Sequence, residues 1–174
     1  MKSRHCVTRL RILIAEADIH VADVLIEECE AALGADVVAA RSGGGALQAL
    51  SWFPPTLALV DLMLPDMCGF EVARCVANYE VPTILMSGHP TKMMLCEEYG
   101  FPHLCKPFSI SQLTNLTTKV IREAEYSIAQ LQWSYVRLQA ALEASGRIVD
   151  AARKSSKASA EARACGRMNQ FVRG

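Results

Sequence analysis

The sequence lacks the features that mark membrane proteins, secreted disulfide-bonded proteins and zinc proteins. No apolar run approaches the roughly 20 residues that span a bilayer, and the apolar stretch at residues 12–15 is too short for a signal peptide. The seven cysteines form no Cys-x-x-Cys pair and no Cys/His spacing typical of a zinc site. We therefore expect a cytoplasmic protein whose cysteines are reduced and pack as small apolar side chains.

An excess of one charge and a hydrolase signature are absent as well. The chain has 18 basic and 18 acidic residues, so no overall field directs it to nucleic acid or membrane. The Gly-x-Ser-x-Gly pattern of a Ser/His/Asp hydrolase does not occur. The neutral total conceals an asymmetry, because residues 1–109 carry a net charge of −5 and residues 147–174 one of +5. An acidic front and a basic tail indicate two parts with different roles.

Five short apolar runs alternate with helix-like segments. The runs are apolar on both faces, as in a parallel sheet that is covered on both sides. They lie at residues 10–15, 36–40, 56–60, 81–86 and 102–105. Helices are predicted between them at residues 19–33, 43–52, 69–79 and 91–99, where Gly34 and Gly100 close the first and the fourth. This alternation predicts a doubly wound α/β sheet.

The residues just after each strand lie at the edge where such sheets place their sites, beyond the carboxyl ends. They are Glu16, Ala17 and Asp18 after the first strand, Asp61 after the third, Ser87 and Gly88 after the fourth, and Lys106 and Pro107 after the fifth. Taken singly, Asp61 would be a turn residue, Ser87 a cap or turn residue and Lys106 a solvated cation. Their convergence predicts a functional site centred on a carboxylate.

Four segments resemble, in their order and distances, the receiver domain of bacterial two-component response regulators. They are RILIAEAD, LALVDLMLPDMCGFE, PTILMSG and LCKPF, and the resemblance covers about residues 9–122. It implies a flavodoxin-like, five-stranded parallel sheet in the order 2-1-3-4-5, with helices on both faces. It also implies a stand-alone response regulator that a histidine kinase or phosphotransfer protein phosphorylates. Such a protein catalyses only its own phosphorylation and dephosphorylation, and no separate enzymatic output domain is expected.

The resemblance implies a role for each residue at this edge. Asp61 would accept the phosphoryl group, Ser87 would donate a hydrogen bond to a phosphoryl oxygen, and Lys106 would offset its charge. Glu16, Asp61 and the backbone carbonyl of Met63 would hold Mg²⁺.

The resemblance also implies two features of the backbone. Gly69 fits a tight turn just beyond the site, and the peptide bond before Pro107 would be cis.

Three departures from the family pattern stand out. Ala17 replaces the second acid of the usual pair, which predicts a weakened Mg²⁺ site, since Mg²⁺ uses one or two protein carboxylates with waters and phosphate. The alternative is a pseudo-receiver, a dimeric adaptor that signals without phosphate. His103 replaces the family's switching aromatic residue and is either a switch or a partly exposed histidine. The short segment from Ser87 to Lys106 predicts a short fourth helix.

The helical pattern continues past the receiver as an extended helix or coiled-coil segment, residues 123–149. Its apolar stripe steps alternately by three and four residues, and neither Pro nor Gly occurs in residues 108–145. The stripe is Ile121, Ala124, Ile128, Leu131, Tyr135, Leu138, Leu142, Ser145 and Val149. Because a bare amphipathic stripe needs a partner, we expect a homodimer through this helix. The alternative is a helical hairpin folded back on the chain's own receiver.

Residues 150–174 are a basic tail rich in Ala, Ser and Arg, which is either helical, as a second helix near residues 148–168, or disordered. The stretch LQAALEASGRIVDAARK faintly resembles the start of ANTAR domains, which follow receivers and bind RNA, but too few residues remain for that module. No helix-turn-helix with room for it is present, so DNA binding is not expected.

Overall fold

The computed structural model of the protein describes the backbone of residues 9–171. It describes the side chains of residues 9–143, apart from residues 90, 93 and 95, and that of Lys154. The elements are β1 (Arg11–Ala15), α1 (Ile19–Leu33), β2 (Asp36–Ala40), α2 (Gly43–Ala49), β3 (Leu57–Asp61), α3 (Gly69–Ala77), β4 (Thr83–Ser87), α4 (Pro90–Glu98), β5 (His103–Cys105) and α5 (Ile110–Phe171). The side chains of Ser145 and Val149, and residues 172–174 of the predicted tail, lie outside the described residues.

The five strands form one parallel sheet in the order β2-β1-β3-β4-β5, which confirms the predicted flavodoxin-like topology. Successive side chains of a strand point to opposite faces, so each buried strand supplies two cores. Ile12 and Ile14 of β1 pack with residues of α1 and α5, whereas Leu13 packs with residues of α2 and α3. Helices therefore cover both faces of the sheet and leave the ends of the strands uncovered.

Helix α1 has the predicted bounds because both of its ends carry a strong capping residue. The Asp18 carboxylate accepts hydrogen bonds from the backbone N–H groups of His20 and Val21, at 2.9 and 3.3 Å. Gly34 closes the helix in the left-handed conformation at φ 61°, which glycine adopts without steric cost. The loop between β1 and α1, which leads out of the site, is fixed by this cap.

Helices α2 and α4 are short. The prediction extended α2 to residue 52, but the helix ends at Ala49 and residues 50–53 form a turn. Pro54 and Pro55 follow, and a residue before proline disfavours helical geometry. Helix α4 has nine residues and agrees with the short fourth helix expected from the sequence; the chain then turns at Gly100, φ 71°.

Helix α5 runs from Ile110 to Phe171 without a break. The described backbone of α5 has neither the turn that a helical hairpin needs nor the break near Gly146 that a separate helix at residues 148–168 needs. Among the described helices, none combines the length and the apolar character needed to cross a bilayer.

The chain divides into two compact units, one up to Glu125 and one from Tyr126 onward. In the first unit, Leu113, Thr117 and Val120 of α5 are buried. In the second unit, the side chains of residues 126–143 are all exposed. The predicted domain boundaries, 9–122, 123–149 and 150–174, stay predictions.

The cysteines whose side chains are described are free thiols in two classes. Cys29 and Cys96 are buried, whereas Cys68, Cys75 and Cys105 are exposed. Burial raises the pKa of Cys29 to about 11, and the negative charges of Glu28 and Glu30 add to this effect.

Candidate functional site

Asp61 is the last residue of β3 and is 8% exposed. Its Oδ1 atom accepts a hydrogen bond from the backbone N–H of Met63 at 2.8 Å. A Cβ at Gly69 would overlap the carbonyl oxygen of Asp61, so only glycine allows the start of α3 to approach this closely. The carboxylate therefore has one oxygen fixed by the backbone of the following loop and the other free to face the neighbouring strand ends.

Lys106, which directly follows β5, lies between two carboxylates. Its ammonium nitrogen donates to Glu16 Oε2 at 2.5 Å and also to Asp61 Oδ2. Burial lowers the pKa of Lys106, but the hydrogen bonds and charges of Asp61 and Glu16 outweigh this effect, so the pKa is raised above its ordinary value. One cation thus offsets two nearly buried anions, which would otherwise repel each other.

Among the three residues after β1, Glu16 is the one whose side chain contacts the site. It is 3% exposed, and its second oxygen accepts the backbone N–H of Asp18 at 3.1 Å. Asp18 itself is occupied as the cap of α1. Hydrogen bonds from the backbone N–H groups of Val21 and His20 lower its pKa. The side chain of Ala17, between them, has no oxygen, so the end of β1 supplies a single carboxylate to the site.

Ser87 ends β4 and is completely buried. In the register of the sheet Asp61 pairs with Met86, which places Ser87 one residue further along the neighbouring strand. The Ser87 hydroxyl oxygen accepts the backbone N–H of His89 at 3.1 Å, and its carbonyl accepts the backbone N–H of Lys106 at 2.8 Å. The hydroxyl and the ammonium group are thereby held on adjacent strand ends.

His103, the predicted switch residue, lies at the start of β5 and contacts α4. Its Nδ1 atom is 3.2 Å from the carbonyl oxygen of Phe101, and Nε2 is 3.7 Å from a carboxylate oxygen of Glu97. The switch role stays a prediction. The Lys106–Pro107 peptide bond is cis, as the resemblance implied.

The donor set at this edge fits a magnesium ion of the kind that retains several waters. Glu16 and Asp61 provide two carboxylates, and Mg²⁺ commonly binds one or two together with waters and phosphate oxygens. Across the described side chains, no group of three or more His, Cys, Asp or Glu is placed to hold a metal. Since Lys106 bonds to an oxygen of each carboxylate, a metal there would compete with its ammonium group.

Asp66 is a residue of this region that the sequence patterns did not predict. Its carboxylate, in the loop between β3 and α3, accepts hydrogen bonds from the first two N–H groups of α2, those of Gly43 and Gly44. The sequence signal that could have indicated a contact here is the run of three glycines at the start of α2. Glycine is a poor helix former, so the run points to close packing of another segment against the helix.

The family model described as "Response regulator receiver domain" matches residues 12–118. The chain belongs to this family. One relative is the response regulator RR06 of Streptococcus pneumoniae, which is 29% identical over 59% of this chain and 48% of that protein. Another is the luminescence regulatory protein LuxO of Vibrio campbellii, which is 32% identical over 53% of this chain and 21% of that protein. The chain thus spans about half or less of the length of these curated relatives.

Solved receiver structures share the fold. A CheY-like receiver domain from Methanospirillum hungatei superposes with a TM-score of 0.63 at 24% identity, covering 69% of this chain and 99% of that one. The receiver domain of a LuxO repressor protein from Vibrio parahaemolyticus gives 0.61 at 22%, covering 70% and 97%. Both matches concern the fold, and the relatives support a two-component response regulator.

Proposed function

We propose that Asp61 is the phosphoacceptor of this response regulator and that a histidine kinase or phosphotransfer protein supplies the phosphoryl group. One observation carries the proposal. A nearly buried carboxylate at a strand end has one oxygen bonded to the Met63 N–H and the other to the Lys106 ammonium group. A structural turn aspartate needs no cation, whereas a nucleophile that gains a dianionic group does.

The chemistry follows from charge and position. An Asp61 oxygen attacks phosphorus in line as the bond from phosphorus to the donor's histidine nitrogen breaks, and the product is an acyl phosphate. Phosphoryl transfer depends mainly on positioning and charge neutralisation. Lys106 offsets charge on the phosphoryl oxygens, and Ser87 donates a hydrogen bond to one of them. Glu16, Asp61 and the Met63 carbonyl would hold Mg²⁺, which would supply further positive charge.

The test is labelling by a small acyl phosphate donor, acetyl phosphate, in the presence of Mg²⁺. Wild-type protein should gain one phosphoryl group by intact mass, and Asp61→Asn should gain none. Asp36→Asn is the matched control, because Asp36 is a half-buried aspartate at the start of β2, paired with Arg9 at 2.8 Å. If Asp61→Asn were labelled as strongly as wild type, Asp61 would not be the phosphoacceptor.

A second candidate is a pseudo-receiver adaptor that signals without phosphate. Ala17 favours it, because the second acid is missing and a single cation already satisfies both remaining carboxylates. This candidate predicts that neither wild type nor Ala17→Asp is labelled. The surviving Asp61, Ser87 and Lys106 favour the phosphorylated receiver, with Mg²⁺ bound more weakly than in a receiver that has two acids after β1.

We infer that output passes through protein contacts, including pairing of α5 with a second copy of the chain. Five consecutive stripe positions are exposed: Ile128 at 52%, Leu131 at 71%, Tyr135 at 61%, Leu138 at 58% and Leu142 at 63%. Ile121 packs against the core of the first unit, and Ala124 is half-buried. The stripe available to a partner thus begins at Ile128, and its heptad spacing suits another helix. RNA binding by residues 150–174, which only the faint resemblance to ANTAR domains supports, stays an untested alternative.

A further inference from the structure

Three successive glycines open α2, although glycine is a poor helix former. Their neighbours explain them. A Cβ at Gly43 would overlap the side chain of Met67 and lie 2.8 Å from Val72 Cγ2, and a Cβ at Gly44 would lie 3.2 Å from Asp66 Oδ2. Gly43 and Gly44 allow the loop between β3 and α3, residues 62–68, to lie directly against the start of α2.

Asp66 joins that loop to the helix with both carboxylate oxygens. Oδ1 accepts the Gly43 N–H and Oδ2 the Gly44 N–H, each at 2.8 Å, across more than twenty residues of sequence. Hydrogen bonds from the backbone N–H groups of Gly44 and Gly43 lower the pKa of Asp66. The third N–H, that of Gly45, is capped locally by the Ser42 hydroxyl at 3.1 Å. Asp66 therefore makes its contacts as an anion at neutral pH.

The same loop carries the N–H that orients Asp61. It leaves β3 at Asp61, donates the Met63 N–H to Asp61 Oδ1 at 2.8 Å, and closes on itself through a bridge between Met63 and Cys68. The Gly69 N–H donates to the carbonyl of Leu62 at 3.1 Å. Asp66 lies within this closed loop, and its carboxylate joins the loop to α2 by two hydrogen bonds.

We propose that Asp66 is a positioning residue for phosphorylation of Asp61. By anchoring the loop on the Gly43 and Gly44 N–H groups, it keeps the Met63 N–H aimed at Oδ1 and leaves Oδ2 to face Lys106. A small misplacement of a reacting group lowers a rate strongly. The same contacts leave Asp66 unable to replace the acid missing at Ala17, since both its oxygens face α2. The effect on rate rests on the proposed role of Asp61.

The experiment compares Asp66→Ala, Asp66→Asn and Ser42→Ala in the full-length chain. Ser42→Ala is the matched control, because it removes a cap from the same helix without touching the loop. The first readout is the amide resonance of Met63 in a ¹H–¹⁵N spectrum, which senses its hydrogen bond to Asp61. The second is the rate of labelling by acetyl phosphate with Mg²⁺. Far-UV circular dichroism verifies that each variant is folded.

We expect Asp66→Ala to move the Met63 amide resonance and to slow labelling roughly tenfold or more. Asp66→Asn, which keeps one acceptor oxygen, should fall between it and wild type, and Ser42→Ala should leave both readouts unchanged. A Met63 resonance unmoved in both Asp66 variants, or moved as much by Ser42→Ala, would overturn the proposal. If wild type is not labelled, the proposed function fails, and the Met63 resonance still decides whether Asp66 positions the loop.

Discussion

Lys106 and Glu16 form an ion pair across 90 residues of sequence, with Nζ 2.5 Å from Oε2, and the same ammonium group contacts Asp61. The pair joins the ends of β1 and β5, the first and last strands of the chain. Because Glu16 and Asp61 are nearly buried, this cation is a structural as well as a chemical requirement.

Replacing Lys106 by Met should lower the free energy of unfolding by about 3 kcal/mol at pH 7, since two buried carboxylates lose the cation that pairs with both of them. Urea denaturation measures the change. The control is Lys119→Met, because Lys119 is exposed and its nitrogen is 4.0 Å from Glu123 within the same helix; this change should cost no more than about 0.5 kcal/mol. Equal losses in both variants would contradict the role of the ion pair.

The stability supplied by Lys106 should depend on pH in alkaline solution. Its pKa is raised in the folded protein above the ordinary value of 10.5. The contribution is therefore fully present below about pH 10 and is lost as the pH rises through the folded-state pKa. The difference in unfolding free energy between wild type and Lys106→Met, followed from pH 8 upward, should shrink above pH 10. A stability difference that grows above pH 10 would contradict the raised pKa of Lys106 in the folded protein.

Replacing Gly69 by Ala should destabilise the protein by about 3 kcal/mol or displace Asp61, because the new Cβ would overlap the Asp61 carbonyl oxygen. Gly88→Ala is the control, since a Cβ there meets nothing within 4 Å. Thermal unfolding of both variants, together with their labelling by acetyl phosphate, tests the expectation. If Gly69→Ala kept wild-type stability and labelling, residue 69 would not lie as close to the Asp61 carbonyl oxygen as the structure shows.

Introducing an acid by Ala17→Asp should tighten Mg²⁺ binding roughly tenfold, because charge count at a carboxylate site sets divalent-cation affinity. The measurement is isothermal titration calorimetry with Mg²⁺. Ala17→Asn, similar in size but uncharged, should bind as wild type does. An unchanged affinity in Ala17→Asp would mean that residue 17 does not face the metal.

A charge placed in the α5 stripe should dissociate the proposed dimer. Leu138→Asp should shift the mass measured by light scattering from that of two chains to that of one. Its neighbour Arg137 lies on another face of the helix, so Arg137→Asp should leave the mass unchanged. A wild-type protein with the mass of one chain at high concentration would exclude the dimer.

The strand order and the residues at the strand ends could be predicted from sequence because both follow from local patterns. Short runs that are apolar on both faces predict buried parallel strands, and Gly34 predicts the end of α1. The end of α2 was predicted three residues too far, since Leu50 and Trp52 continue an apolar pattern that the two following prolines oppose.

Contacts between distant segments could not be predicted. That Asp66 bonds to α2 and that Lys106 lies between Glu16 and Asp61 both depend on how separate loops pack. An isolated aspartate in a sequence suits a turn, a cap or a metal ligand equally well. Only the neighbouring N–H groups distinguish these roles.

The two classes of cysteine determine where a reporter group can be attached. Thiol reagents react with the thiolate, so buried Cys29, whose pKa is raised to about 11, resists modification at neutral pH. Among the cysteines with described side chains, the exposed Cys68, Cys75 and Cys105 remain for maleimide dyes. Cys68 directly precedes Gly69 at the end of the loop that begins at Asp61. With the other exposed thiols replaced by serine, a fluorophore on Cys68 would monitor, in real time, any chemistry that moves this loop.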